Sequence, residues 1–593
     1  MKGLNLNPHG QCLGYRPAPK QPYRFLTYTE VFQHARDFGS ALITKVGLTP
    51  GNETRVGIYG KNGPQWFMTA FGCVQQSIVI VPLYDTLGPE AVTYIIQQTE
   101  MSTIIVDTVE KAKKLLKRED LPLLVNLIII EENGLNELKT TDHNLTIYSF
   151  NELVNEGHQN SIPMTLPKAD DTYIICYTSG TTGFPKGVIL SHKNMIATEC
   201  EDFLQVAISY LPLSHTFEQM SHWCIFMLGA STAYYSGNIQ QLNDDLMDVK
   251  PTIFPVVPRL LNRFYDLIQV KLKNANPLLR AIYSYAYNRK LSLLKRGIAC
   301  NDTVWDKLIF RKIQAQIGGR VHLIATGSAP VSAEVLETCR IVLGAVIVEG
   351  YGQTECTGLV TSTWPGDFVG GHCGGPSTCT LLKLADVPEL QYYASQGKGE
   401  VMIKGPHCTA GYFKDPEKTA ELFDEDGFIH TGDIGQILPD GSLKIIDRKK
   451  HIFKLAQGEY VAPEKIENIY IRAPCVQQVY VDGNSLERFL VAIVVPDEGV
   501  IKKWFKQNVE NNGNSYMHML QTKEVQRYVL EELQKIGKES GLNSIEQVKA
   551  IYLTSDAFSV ENGLLTPTLK ARRPQLRAHY ASVINDLYKA INQ

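Results

Sequence analysis

The chain lacks the features that mark several broad classes of protein. Its 593 residues carry 58 basic and 61 acidic side chains, so no excess of positive charge points to nucleic acid as a partner. No charged segment followed by an apolar core opens the chain, and no signal peptide is predicted. The longest apolar stretch, residues 222–235, is shorter than the roughly 18 residues needed to span a bilayer. A globular protein without a transmembrane segment is therefore expected.

The chain also lacks paired cysteines. Its 12 cysteines include no CxxC pair, and the closest two, Cys373 and Cys379, fit no common zinc spacing. We interpret the cysteines as small buried apolar residues in a reducing compartment. Fixed-period repeats and low-complexity tracts are likewise absent from the sequence.

Short apolar runs rich in Val and Ile alternate with longer, charged amphipathic stretches. Such runs occupy residues 56–60, 77–84, 102–107 and 124–132. Continuous apolar strands between helical segments predict a parallel sheet covered on both faces, and hence an α/β fold. At least two domains are expected, because single cores stop growing near roughly 250–300 residues.

After about residue 400 the pattern changes to strand-like segments with few helices between them. The strand-like segments are 399–405, 441–454, 476–483 and 489–498. One helix is predicted at 462–472, with Pro463 in its first turn. The charged run "DRKK" (447–450) separates two apolar runs. We therefore predict a large N-terminal domain, 1–447, and a small C-terminal α+β domain, 448–593.

A loop rich in Gly and Thr, "TSGTTGFPKG" (178–187), follows a predicted strand at 172–177. It departs from the Walker A loop, because Pro185 precedes Lys186 and Gly187 follows it. Its glycines allow backbone amides to turn toward an anion, its hydroxyls are donors, and Lys186 adds a positive charge. The other candidate phosphate ligands are Thr178, Ser179, Gly180, Thr181, Thr182 and Gly183. The alternative is an ordinary surface loop.

Two further strands end in loops, at 320–330 and 345–355. In open α/β sheets ligands bind beyond the carboxyl ends of strands, so these loops and the first can line one site. Tyr351 can stack on a purine, Thr354 can donate to a phosphate, and Glu355 is a hard oxygen ligand for Mg²⁺. The alternative is a tight turn with a capping Thr–Glu pair.

Two more segments carry charged side chains suited to a nucleotide. Asp433 lies in the Gly-flanked turn "HTGDIG" (430–435), where a carboxylate can hold ribose hydroxyls. Lys570 follows a Thr-Pro-Thr turn in 562–577 and could reach a developing negative charge. Taken alone, the segment 430–435 would be interpreted as an ordinary turn. The segment 562–577 would be interpreted as a solvated basic surface.

These motifs, in this order, resemble the adenylate-forming enzyme superfamily over nearly the whole chain. The stretch 424–470 is most similar to long-chain fatty acyl-CoA synthetases of the animal type, and 12–16, 208–218 and 564–577 support the same likeness. The resemblance implies the adenylate-forming fold and an AMP-forming ligase of lipid metabolism. Its substrates would be a long-chain fatty acid, ATP and coenzyme A, its cofactor Mg²⁺, and its intermediate an acyl-adenylate.

The resemblance also implies a role for each motif residue. Residues 178–187 would cradle the β- and γ-phosphates, and Thr178 and Glu355 would hold Mg²⁺. Lys570 would bridge the carboxylate and the α-phosphate, and His215 would lie near the acyl carbonyl. The small domain would rotate about a hinge near Lys450, withdrawing Lys570 and bringing in Lys454. The remaining nucleotide contacts would be Gly327, Ser328, Ala329, Glu349, Gly350, Tyr351 and Thr354, with Asp433 and Arg448 on the ribose.

The sequence departs from the family pattern in three respects. Phe428 and Ile437 replace tryptophans, and the segment 199–207 is about ten or more residues shorter than usual. The family's amino-terminal membrane anchor is missing, which favours a truncated form or a splice variant. The expected location is the cytosolic face of the endoplasmic reticulum or mitochondrial outer membrane by peripheral association, with the cytosol as the alternative.

Two other functions remain open at this point. One is an adenylating enzyme with an acceptor other than coenzyme A, including a luciferase-like oxygenase. The other is a low-activity fatty-acid-binding form, which the shortened segment at 199–207 would favour. The sequence does not indicate which fatty-acid chain lengths are preferred.

Overall fold

The computed structural model describes residues 2–592 except 85–88, 140–143, 179–184, 199–204, 458, 484–485, 510–514 and 567–569. The strands are β1 Gln11–Tyr15, β2 Arg24–Thr27, β3 Arg55–Tyr59, β4 Val79–Leu83, β5 Thr103–Val106, β6 Asn126–Ile129, β7 Thr146–Ser149, β8 Thr172–Thr178, β9 Lys186–Ser191, β10 Val206–Ser209, β11 Ser231–Tyr234, β12 Ile253–Val256, β13 Leu323–Thr326, β14 Val346–Tyr351, β15 Thr361–Ser362, β16 Gly375–Pro376, β17 Leu381–Ala385, β18 Lys398–Lys404, β19 Ile429–Ile437, β20 Leu443–Arg448, β21 Phe453–Lys454, β22 Tyr460–Val461, β23 Val476–Asp482, β24 Leu490–Pro496 and β25 Val548–Leu553.

The α-helices cover the sheets. They are α1 Lys2–Leu6, α2 Tyr28–Thr44, α3 Pro64–Val74, α4 Pro89–Thr99, α5 Val109–Leu116, α6 Leu135–Lys139, α7 Phe150–Gln159, α8 His192–Ala197, α9 Thr216–Met227, α10 Leu242–Val249, α11 Pro258–Lys273, α12 Pro277–Leu294, α13 Arg311–Gln314, α14 Ala333–Leu343, α15 Pro416–Leu422, α16 Pro463–Tyr470, α17 Glu498–Asn508, α18 Tyr516–Gln521, α19 Lys523–Glu539, α20 Arg573–His579 and α21 Ala581–Asn592. None of the helices within the described ranges is long and apolar enough to cross a membrane.

One sheet contains the apolar runs from which the α/β fold was predicted. Its seven strands lie in the order β7-β6-β5-β3-β4-β8-β9. All neighbours in it are parallel except β8 and β9. Every residue of β4, β5 and β6 is buried, as expected for strands covered on both faces. The prediction of a doubly covered, mainly parallel sheet is confirmed.

A second, nine-stranded sheet brings two of the predicted loops together. Its order is β16-β15-β14-β13-β12-β10-β11-β1-β2. β13 and β14 are parallel neighbours, with Thr326 opposite Glu349. The loops that leave their carboxyl ends therefore start side by side, as the sequence predicts.

A smaller antiparallel sheet carries the ribose motif. Its order is β17-β18-β19-β20, and Asp433 on β19 pairs directly with Arg448 on β20. Gly432 has φ +69°, a left-handed conformation that a residue with a Cβ adopts only with strain. Cross-strand pairing thus places a carboxylate beside a guanidinium before any ligand is bound.

The C-terminal part contains more helix than the sequence analysis expected. The three-stranded sheet β23-β24-β25 packs with α16 through α21, whereas one helix was predicted there. Helix α19 was not predicted. Its buried residues Val525, Val529 and Leu533 recur every four positions, but charged residues lie between them in the sequence. The predicted helix at 462–472 is observed as α16, Pro463–Tyr470, with Pro463 in its first turn. The domain boundary near 447 stays a prediction; β20 ends at Arg448.

Candidate active site

A cavity of about 1440 Å³ lies at the carboxyl ends of β8, β13 and β14. The β19–β20 pair and the segment around residue 570 form its other walls. The predicted residues that line it are Thr178, Lys186, His215, Gly327, Ser328, Ala329, Glu349, Gly350, Tyr351, Thr354, Glu355, Asp433, Arg448, Lys450 and Lys570. Ser179, Gly180, Thr181, Thr182 and Gly183 lie outside the described residues. A separate cavity of about 330 Å³, lined by Tyr15, His34 and Phe150 among others, contains none of these motif residues.

The two ends of the predicted phosphate loop are held together by strand pairing. Thr178 on β8 pairs with Lys186 on β9. The Lys186 ammonium lies 4.8 Å from the centre of the Tyr412 ring. Burial, and then the positive charges of Lys418 and Lys450, lower the pKa of Lys186. The negative charge of a bound phosphate would offset both effects and favour the charged ammonium.

Glu355 is oriented by a residue that the sequence analysis missed. The Tyr412 hydroxyl donates to Glu355 Oε1 at 2.9 Å, and the Thr409 amide donates to the Glu355 carbonyl at 2.8 Å. Fixing one carboxylate oxygen orients the other. Together with the Thr178 hydroxyl in the same cavity, this gives hard oxygen donors that fit Mg²⁺. No local sequence signal marks Tyr412, because its role depends on a contact across 57 residues.

The loops after β13 and β14 approach each other closely. A Cβ on Gly327 would lie 2.8 Å from the Gly350 carbonyl oxygen, so only glycine fits there. Ser328 follows with φ +72°, a left-handed conformation that is uncommon for a residue with a side chain. Such strain concentrates at ligand-binding sites. Ala329 continues this loop along the cavity wall.

Glu349 offers a protonated carboxyl to the cavity. It is buried, and among the described residues no partner hydrogen-bonds its Oε2. Burial raises the pKa of Glu349 to about 8, against a smaller opposing effect of Arg340. At neutral pH the group is therefore mostly neutral and can donate a hydrogen bond.

Tyr351, Asp433 and Arg448 come from separate motifs and meet in one cluster. The Tyr351 hydroxyl donates to Asp433 Oδ2 at 2.7 Å, and Arg448 Nε lies 3.2 Å from Asp433 Oδ1. Burial raises the pKa of Asp433, while the charge of Arg448 opposes that rise. The carboxylate is thus held at the cavity wall, in the position expected of a group that binds neighbouring hydroxyls.

Lys570 reaches the cavity beside this cluster. Its carbonyl accepts from the Thr566 amide at 2.8 Å. Burial, and then the charge of Arg448, lower the pKa of Lys570 to about 8, although Glu464 and Asp433 act in the opposite direction. Lys454 is not brought into the cavity; it lies on β21, with its ammonium 5.1 Å from the centre of the Tyr460 ring.

His215 is the N-cap of α9 and lines the cavity, as do Phe217 and Met220. Its Nδ1 accepts from the Phe217 amide at 3.2 Å, so this hydrogen bond assigns the proton to Nε2. Burial, and then the nearby charge of Lys570, lower the pKa of His215 to about 3. At neutral pH the side chain is an uncharged hydrogen-bond donor.

A second group of cavity residues was not assigned from the sequence. His451 Nδ1 lies 2.8 Å from Glu464 Oε1, and the Glu464 amide donates to Asp447 Oδ2 at 3.1 Å. All three line the cavity. They fall within the family-like stretch 424–470, which is the only signal that could have pointed to them.

Comparisons of the sequence and of the fold with known proteins all find AMP-binding or adenylating enzymes. Residues 9–413 match the family model described as AMP-binding enzyme. The chain is 47% identical to long-chain-fatty-acid–CoA ligase 6 of Homo sapiens, over 99% of this chain and 86% of that protein. It is 46% identical to long-chain-fatty-acid–CoA ligase 1 of Homo sapiens, over 100% of this chain and 86% of the relative. The adenylation domain of a carboxylate reductase from Mycobacterium chelonae superimposes with a TM-score of 0.81 at 25% identity, covering 98% of this chain and 89% of that one.

Proposed function

The chain belongs to the AMP-binding enzyme family, and within it to the long-chain-fatty-acid–CoA ligases, and we propose which of its residues carry each step of that reaction. The enzyme joins a long-chain fatty acid to coenzyme A and converts ATP to AMP and pyrophosphate in the same reaction. The observation that carries the residue assignment is the convergence of Lys570, the Asp433 cluster and Glu355 on one cavity.

In the first half-reaction the fatty carboxylate attacks the α-phosphate of ATP. Carboxylate and triphosphate are both anionic, so their approach needs positive charge. Lys570 would stabilise the carboxylate and α-phosphate, and Lys186 the departing pyrophosphate. Asp433 would accept from the ribose hydroxyls. Neutral His215 would donate from Nε2 toward the acyl oxygen without adding charge.

Mg²⁺ would be held by Glu355 and the Thr178 hydroxyl. Bound there, the ion supplies positive charge to the phosphate oxygens. Tyr412 would keep the Glu355 carboxylate oriented through its 2.9 Å hydrogen bond. Thr354 would donate to the α-phosphate from the neighbouring position.

The second half-reaction needs a different arrangement of the C-terminal part. A rotation about residues 447–450, near Lys450, would withdraw Lys570 and bring Lys454 toward the acyl-adenylate. The present geometry suits adenylation, because Lys570 lines the cavity and Lys454 does not. A few residues in a short charged segment can absorb such a rotation.

ATP–pyrophosphate exchange across fatty acids of increasing length tests this proposal. Exchange that depends on a long-chain fatty acid, without coenzyme A, is expected of an enzyme that makes an acyl-adenylate. Absence of exchange with every fatty acid would instead favour a protein that only binds them. The same series would give the chain-length preference.

The pH dependence of adenylation is expected to report Lys570. Its ammonium is the active form, so kcat/KM for ATP should fall as pH rises through about 8, the pKa in the free enzyme. Burial is the largest cause of this low pKa; the charge of Arg448 lowers it further, and Glu464 and Asp433 oppose the shift. Exchange rates from about pH 6 to about pH 10 would measure the fall.

Lys570→Arg is the control for this profile. Arginine stays charged throughout that range, so the variant should be slower but should lose the alkaline fall. An unchanged fall in the variant would assign it to another group, such as Glu349, whose pKa is also about 8.

We propose further that the enzyme binds an anionic membrane surface through α11, α12 and the turn that follows. Residues 259–320 carry 13 basic and 3 acidic side chains, in a chain whose net charge is −3. Leu278, Ile282 and Tyr285 recur at helical spacing on α12 and are exposed. The Tyr285 and Trp305 rings lie 5.2 Å apart, which brings the exposed side chains of Val304 and Leu308 beside this face.

Exposed apolar side chains among basic ones suit a membrane of negative surface charge. Each basic residue near such a surface contributes about 1 kcal/mol. The cytosolic leaflets of the endoplasmic reticulum and mitochondrial outer membrane are the proposed locations, because long-chain fatty acids partition into membranes.

Sedimentation with lipid vesicles tests the membrane face. Binding is expected with vesicles containing phosphatidylserine, weaker with phosphatidylcholine alone, and reduced by salt. Arg280→Glu combined with Arg289→Glu should remove the preference for phosphatidylserine. Leu166→Ser, at another exposed leucine, is the matched control and should bind normally. Equal binding of the double variant and the control would contradict the proposed face.

A further inference from the structure

Two cysteines and a histidine from separate segments meet beside the turn that carries Glu355. Cys356 is the next residue in that turn, and His407 and Cys408 lie in the segment between β18 and α15. One ligand atom from each of the three lies within 4.8 Å of the others. Cys408 Sγ is 3.9 Å from Cys356 Sγ.

These distances match a soft-metal site. Two sulfurs on one tetrahedral zinc lie roughly 3.8 Å apart, given Zn–S bonds of about 2.3 Å. Cys379 lies beside this group, with its Sγ 3.5 Å from His407 Nδ1, but it is not one of the three residues whose ligand atoms all lie within 4.8 Å of one another. Thiolate and imidazole are the ligands that zinc prefers, whereas Mg²⁺ prefers oxygen. The group is therefore chemically distinct from Glu355 and Thr178.

The surroundings suit bound metal. Cys356 and His407 are fully buried, while Cys379 and Cys408 are partly exposed. His407 Nε2 lies 3.3 Å from Thr380 Oγ1, and His407 Nδ1 faces Cys379. In metal sites, one ring nitrogen of a histidine binds the metal and the other is oriented by a polar partner.

We propose that Cys356, His407 and Cys408 form a Zn²⁺ site. Binding would release the thiol protons and join the Glu355 turn to the segment 405–409. The two segments already touch through the Thr409 amide, which donates to the Glu355 carbonyl at 2.8 Å. This site is independent of the proposed function, and its test does not use activity.

Cobalt titration of the metal-free full chain tests the site. With excess Mg²⁺ present to occupy oxygen sites, one Co²⁺ per chain is expected to produce thiolate-to-cobalt charge-transfer absorption and the visible bands of tetrahedral cobalt. Zn²⁺ should displace it stoichiometrically. Absence of these bands in the unmodified protein would overturn the proposal without reference to any variant.

Variants assign the ligands. Cys408→Ser should weaken Zn²⁺ binding by more than about 10-fold, since loss of even an outer-shell partner has that effect. Cys300→Ser, at another partly exposed cysteine, should bind normally, and thermal unfolding would verify that both variants fold. An unchanged cobalt spectrum in Cys408→Ser would overturn the assignment. A Cys356–Cys408 disulfide, seen as two fewer titratable thiols with no cobalt bands, would overturn it too.

Discussion

Replacing Lys570 with alanine is expected to slow acyl-adenylate formation by about 10²-fold or more, the usual effect of losing one preorganised charge stabiliser. The side chain lines the cavity together with Asp433 and Arg448. Fatty-acid-dependent ATP–pyrophosphate exchange measures this step alone. The rate of thioester formation should change little when the acyl-adenylate is added directly, because Lys570 is proposed to leave the site before that step.

Two lysine variants serve as controls for this result. Lys549→Ala removes an exposed lysine from β25 and should leave both half-reactions unchanged. Lys454→Ala should show the reverse pattern, with exchange retained and thioester formation slowed. Equal losses in both half-reactions for Lys570→Ala would contradict the assigned role and the proposed rotation.

Glu355→Gln is expected to reduce kcat/KM for ATP by about 10²-fold or more and to raise the Mg²⁺ concentration needed for half-maximal activity. Glutamine keeps the shape and can still accept from Tyr412, so the loss would report the negative charge. Titration of Mg²⁺ at fixed ATP measures the second effect.

Tyr412→Phe and Glu425→Gln separate the possible causes of that loss. Tyr412→Phe retains the carboxylate but removes its 2.9 Å hydrogen bond, and a smaller loss of about 10-fold is expected. Glu425→Gln removes an exposed acidic group of the same charge and should have no effect. A Mg²⁺ requirement that Glu355→Gln leaves unchanged would show that another group holds the ion.

The sequence predicted the main elements of the cavity because they obey a local rule. Apolar strands end in loops of Gly, Ser and Thr, and parallel strands bring such loops to one edge. β13 and β14 follow this rule within one sheet, and Ser328 and Tyr351 line the cavity as a result. β8 belongs to the other large sheet, and Thr178 at its end lines the same cavity. The α/β class follows from the same apolar runs.

The features that the sequence did not indicate depend on contacts between distant segments. Tyr412 holds Glu355 across 57 positions, and Cys408 meets Cys356 across 52. Spacing rules for metal ligands detect neighbours in the chain, so these cysteines were interpreted only as buried apolar residues. The helix α19 was missed because its charged face masks a buried stripe at Val525, Val529 and Leu533.

The central claim is that this chain makes acyl-coenzyme A through an acyl-adenylate. The most direct measurement is product analysis after incubation with ATP, Mg²⁺, palmitate and coenzyme A. Palmitoyl-coenzyme A and AMP are expected in equal amounts, with both dependent on the fatty acid. Formation of ADP in place of AMP, or release of AMP without any thioester, would contradict the account.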